Sequence, residues 1–170
     1  MAYARGREIA KASGLLLYVQ QHTDPASSQS RSFSHLLEGE LALAQGNAEK
    51  AVELLHLADR ESTSAETIAS LARACDMTGR KAEAVEYYEK LIAAGRASLG
   101  WEPQQEWISA HARLAEILLG DGEKAKADMV LRPLIDLWRA ADPDLPLTVK
   151  LRNLAIKLPA SVGYIPQKDR

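Results

Sequence analysis

The residues with the widest chemical repertoire in this chain stand apart from one another. The single cysteine, Cys75, has no second thiol for a disulfide and too few companions for a structural zinc site. It falls four residues before Gly79, at a position that faces the core of a helix pair, so a small buried thiol is its expected role. The four histidines, His22, His35, His56 and His111, form no His-Glu-x-x-His pattern and no i, i+4 pair. They read as surface or groove residues rather than metal ligands. Gly120-Asp121-Gly122 lacks the Lys-Ser or Lys-Thr that completes a phosphate-cradling loop, and reads as a turn. Ser13-Gly14 and Ser98 have no nucleophile-elbow surroundings. Carboxylates are plentiful, as on any solvated helix, and none pairs with an acid/base partner. No metal, cofactor or catalytic residue is expected, and the chain reads as a non-enzyme.

The composition narrows the partners as well. A length of 170 residues fits one domain able to bury its own core. Aromatics make up only 5% of the chain, and the apolar set is dominated by Ala and Leu, which suits close-packed helices rather than a β-sandwich. The 21 basic and 23 acidic residues are mixed along the chain for a net charge of −2, so no basic block is available for nucleic acid. No apolar run is long enough for a membrane span. Arg5 and Arg7 precede the short run Gly14 to Val19, but Gln20, Gln21 and His22 follow it instead of a cleavage site. A cytoplasmic location is expected, or an extracytoplasmic one if the chain belongs to a membrane-anchored protein. The abrupt start, in the middle of an apparent repeat, suggests a piece of something longer.

Helical periodicity organises the chain. A first helix is predicted over Tyr3 to Gln21, with Ile9, Ala12, Leu16 and Val19 as a buried stripe, followed by a polar loop through Asp24 to Ser30. Helices then fall in pairs: Phe33 to Gln45 with Ala48 to Arg60; a helix ending near Thr78 with Lys81 to Ala94; Glu106 to Leu119 with Glu123 to Ala140. Asn47 is placed to cap the second member of the first pair. Thr63-Ser64-Ala65-Glu66 offers a capping box built on the Thr63 hydroxyl and the Glu66 carboxylate. Pro133 predicts a kink or a split near Met129–Arg132. A last helix, Leu147 to Leu158, carries Leu147, Leu151, Leu154 and Leu158 on one stripe.

Three turn glycines put the pairs in register. Gly46 and Gly79 are 33 residues apart. Seven residues before Gly46, Gly79 and Gly122 stand Gly39, Ala72 and Ala115; five after stand Ala51, Ala84 and Ala127. Small residues there let two helices cross closely. Bulky Leu55, Tyr88 and Leu131 follow, then Ala58, Leu91 and Leu134. With segments such as Leu71-Ala72 and Ala84-Val85-Glu86-Tyr87-Tyr88, this pattern resembles the tetratricopeptide repeat (TPR) family over residues 33 to 140. The interval from Gly79 to Gly122 departs from the period by about ten residues. That insertion, with Leu99-Gly100-Trp101-Glu102, Trp107 and the later Asp142-Pro143-Asp144-Leu145-Pro146, resembles the C-terminal TPR arrays of bacterial multidomain proteins, where the array is joined to a protein kinase or to a winged-helix regulator of the CadC type.

The resemblance implies an all-α fold: a right-handed superhelix of about three antiparallel pairs with terminal capping helices. Its parts would be a helix and loop (1–30), pairs at 33–62, 63–95 and 106–141, an insertion at 96–105, a capping helix at 147–158 and a tail at 159–170. It implies a protein-interaction scaffold, or as the alternative the sensory or regulatory part of a larger signalling protein, able to self-associate through its end faces. With both ends covered by helices, a monomer is favoured over a homodimer. In this family the first helix of each pair lines the concave groove. Carried across, the groove positions are Glu66, Ser70, Arg73 and Met77 in the second pair and Ser109, Arg113 and Glu116 in the third. Arg73 and Arg113 together could hold a carboxylate or an acidic peptide. The Lys/Asn set by which chaperone-binding members grip a C-terminal carboxylate is missing, so the expected partner is another protein or peptide. Trp101 and Trp107 are expected to anchor the insertion, with a partner pocket as the alternative.

Overall fold

The computed structural model describes residues 2–6, 8–95 and 103–158, and every regular element among them is helical. In chain order these are α1 (Ala2–Arg5), α2 (Ile9–His22), α3 (Ser28–Ala44), α4 (Ala48–Glu61), α5 (Ala65–Met77), α6 (Lys81–Ala93), α7 (Pro103–Gly120), α8 (Lys124–Leu137) and α9 (Pro146–Ala155). The chain divides into two compact units, residues 1–107 and 108–170, with the division falling inside α7. Trp101, most of the insertion and the tail from residue 159 lie outside the described residues.

The three turn glycines close their helices in the same way. Gly46, Gly79 and Gly122 have φ of 81°, 74° and 77°, a left-handed conformation that glycine adopts without a Cβ penalty. At each turn the next residue's amide reaches back five positions: Asn47 to Ala42, Arg80 to Cys75 and Glu123 to Leu118, at 2.8–2.9 Å. The glycine amide bonds the carbonyl three residues earlier, giving three copies of one helix-ending motif. The motif reverses the chain, and α3 packs against α4 and α5 against α6.

The small positions then decide how closely the members approach. Ala51, Ala72, Ala84, Ala115 and Ala127 are fully buried, as are Leu55, Ala58, Leu131 and Leu134; Tyr88 and Leu91 are nearly so. A Cβ placed on Gly39 would lie 2.6 Å from Leu55 Cγ, so α3 and α4 meet where α3 has no side chain at all. Cys75 is buried in this layer, and burial, followed by the nearby Glu83 charge, pushes its thiol pKa up to about 11. It packs as a small apolar group.

Several elements differ from the sequence expectation. The predicted first helix is broken: α1 ends at Arg5, and α2 starts at Ile9. No residue of α2 is fully buried; its Ile9–Val19 stripe is half-buried, while Leu15, Leu17 and Tyr18 are exposed. The polar loop is shorter than predicted, because Ser27 caps a helix that starts at Ser28. Arg31 holds that start in place: its guanidinium pairs with Glu61 through two bonds, 2.9 and 2.5 Å, and donates to the Pro25 and Ala26 carbonyls. Asn47 caps α4 through Lys50 N as predicted. The cap of α5 is Ser64, bonded to Thr67 N at 3.1 Å, one residue later than the predicted Thr63; the Thr63 hydroxyl turns back to the Asp59 carbonyl instead. Pro133 does not split its helix, since α8 runs through it to Leu137.

Candidate functional site

The most unusual side chain in the first unit is Glu40, whose carboxylate is 1% exposed. It follows Gly39 in α3, and the helical rotation from the close crossing with α4 carries it toward α5. Burying a carboxylate is costly unless charge and hydrogen bonds replace its water. Here they do. Arg73 Nη2, from α5, pairs with Glu40 Oε1, and Arg5 Nε, from α1, reaches Oε2 at 3.3 Å. The Ser70 hydroxyl lies between Glu40 Oε1 and the Glu66 carbonyl (2.8 Å) and accepts from Arg73 Nη2 at 3.3 Å. Burial alone would raise the Glu40 carboxyl, but the Arg73 and Arg5 charges and the Ser70 hydroxyl outweigh it and hold the group below its ordinary range. Arg5 also pairs through Nη1 with Glu106, near the start of α7. Burial would lower the Arg5 pKa, yet its two carboxylate partners raise it.

The groove positions named from the sequence therefore separate. Ser70 is fully buried and supports Glu40 rather than facing solvent. Arg73 is one-third exposed, with its guanidinium committed to Glu40. Glu66, in the first turn of α5, is half-buried and Met77 is 60% exposed. In the second unit Ser109 and Arg113 are exposed; Arg113 pairs with Glu116 at 2.9 Å, and Glu116 also takes Lys150 of α9 at 3.0 Å. Although partial burial would raise the Glu116 carboxyl, those two cations keep it below the usual range. Each nominated arginine thus already has a carboxylate within its own unit. Trp107 is buried in the first unit, where its indole N–H donates to the Ile92 carbonyl of α6 at 3.3 Å.

One histidine was misplaced by the sequence. His111 is 3% exposed, not a surface or groove residue, and its Nδ1 lies 2.5 Å from the Val130 carbonyl of α8. A carbonyl can only accept, so Nδ1 carries the proton. Burial lowers the His111 pKa, partly offset by that bond. The contact falls one residue beyond Met129, whose carbonyl loses its helical donor to Pro133. The site residues that the sequence did not reveal are Glu40, Arg5 and Glu106. A signal existed for one of them: Glu40 stands at i+4 from Leu36 and i+3 from Leu37, on the buried stripe of α3.

Among the described residues, no cluster of three His, Cys, Asp or Glu is placed to hold a metal ion, and no helix is long and apolar enough to cross a membrane.

Paired helices closed by one recurring glycine turn and packed through small residues define a TPR-like helical repeat protein. Two solved chains share the fold, both from Podosopora anserina "kinesin light chain nearly identical TPR-like repeats", one of them a point variant. They are 21% identical, align over 92% of this chain and 81% or 82% of theirs, and give TM-scores of 0.66 and 0.64. No curated protein sequence matches. Residues 18–118 match the family model described as the bacterial transcriptional activator domain, and the chain belongs to that family.

Proposed function

We propose that this chain is the regulatory, partner-holding helical array of a bacterial transcriptional activator, and that it works by binding rather than by catalysis. The observation that carries the reading is the Glu40 cluster. A buried carboxylate paired with two arginines ties α1, α3 and α5 together, and Glu66 and Met77 of α5 keep exposed surface available for contact. Family membership supports the transcriptional setting. In the second unit the exposed Ser109 and Arg113, with the half-buried Glu116, offer a mixed-charge surface on α7 suited to a protein. The arginines discussed above are already paired with carboxylates, so a role connected with DNA is better served through a protein partner than through phosphate contacts. A monomeric array is the simplest form that keeps both faces open.

The test fuses the chain behind a heterologous DNA-binding domain and measures transcription from a reporter carrying its site. The array should change output by about fivefold or more, the scale of roughly one kcal/mol of recruitment. Output equal to that of the DNA-binding domain alone would overturn the regulatory reading.

A further inference from the structure

Arg5 is bonded differently from Arg73. Arg73 belongs to a thirteen-residue helix and supports the carboxylate from within the framework. Arg5 belongs to α1, four residues long and far too short to be helical unaided. Among the described side chains, the buried Ala4 and the Arg5 guanidinium shared by Glu40 and Glu106 hold α1 to the unit.

The charges explain why the position must be filled. With Arg5 removed, Glu40 keeps only the guanidinium of Arg73 among the ion pairs of the described residues, and Glu106 loses the pair that Arg5 makes with it. Glu40 is the more demanding, because its side chain is almost inaccessible to water. The vacancy calls for a planar cation offering donors on two edges, Nε toward one carboxylate and Nη1 toward the other. A guanidinium does this; an ammonium, a compact point charge, does not.

We propose that the Glu40–Glu106 carboxylate pair is a receptor for an arginine side chain on a protein segment, and that Ala2–Arg5 is its displaceable occupant in cis. The proposal deepens the partner-holding reading and rests on it. The partner is an arginine-bearing segment rather than free arginine, because Ala4 is buried alongside and the site therefore takes up the neighbouring residue as well. Partner capture and release of α1 are then one exchange, and α1 sets the affinity threshold that a partner must exceed.

The experiment uses the full chain and a fluorescent peptide, acetyl-Ala-Tyr-Ala-Arg-Gly-amide, which reproduces residues 2–6. By anisotropy, the Arg5→Ala chain should bind it about tenfold more tightly than the native chain, the scale of one charge-assisted bond. Adding Glu106→Gln should remove most of that gain, and a peptide with Ala for Arg, or free arginine amide, should not compete. In the native chain, excess peptide should move the Arg5 Nε–Hε NMR signal toward its solvent-exposed position. Melting curves report whether Arg5→Ala remains folded, and Arg5→Lys provides a milder variant. Equal binding by native and Arg5→Ala chains, equal binding of both peptides, or an Arg5 signal unmoved while peptide binds would overturn the proposal. So would concentration-dependent sedimentation of the native chain abolished by Arg5→Ala, which would make a second copy the donor of the arginine. If peptide binding fails while the reporter still responds to the array, the arginine receptor falls and the regulatory reading stands.

Discussion

Gly39 lies directly against Leu55, with only 2.6 Å between the position of a Cβ on the glycine and Leu55 Cγ. That single approach sets the distance between α3 and α4 and thereby the placement of Glu40, the next residue along. Gly39→Ala should destabilise the first unit by about 2 kcal/mol, the usual cost of overpacking. Adding Leu55→Val should return part of the loss, because the two sites share one contact. Urea unfolding of the single and double variants checks this, and strict additivity would mean that the contact is not the constraint.

The two arginines nominated from the sequence should behave unequally. Arg73→Ala leaves the buried Glu40 with only Arg5 as a charged partner, so a loss of about 2–3 kcal/mol is expected. Arg113 is 44% exposed in a solvated pair, and Arg113→Ala should cost less than about 1 kcal/mol. Melting temperatures of the two variants, compared with the native chain, decide it.

Stability should fall in two stages on acidification. His111 has a lowered pKa in the fold, so the unfolded chain binds its proton first, near pH 6.5, and stability declines as the pH falls through that range. Glu40 is also lowered; its contribution is complete above about pH 4.3 and is lost as the pH drops through its folded value. His111→Gln should flatten the upper stage and Glu40→Gln the lower, each at some cost near neutrality. Unfolding free energy measured between pH 7 and pH 3 provides the check.

The repeat was legible because its determinants are local. A positive-φ glycine, a small residue seven positions before it and another five after are each readable from one short segment, and all three copies behave alike. The Glu40 cluster was not legible in the same way. Its ligands come from α1, α5 and the hydroxyl of Ser70, and the second carboxylate, Glu106, stands far along the chain; no periodicity links them. The start of α3 was missed because Arg31 closes the preceding loop through tertiary bonds to Glu61. His111 was misplaced since only the meeting of α7 with α8 supplies the carbonyl that makes its burial tolerable. At α5 two adjacent hydroxyls could each cap; Ser64 takes the role, while the Thr63 hydroxyl bonds back to the Asp59 carbonyl of α4.

The central claim is that the first-helix face of the first unit engages a protein partner in transcriptional regulation. The most direct test compares, in the reporter fusion, Glu66→Lys with Met77→Ala on that face against Glu53→Lys with Glu86→Lys on α4 and α6, all with melting temperatures recorded. The Glu66/Met77 variant should lose about fivefold or more of the array's effect while remaining folded, and the Glu53/Glu86 variant should retain it. Equal output from both variants, or loss only in the second, would contradict the account.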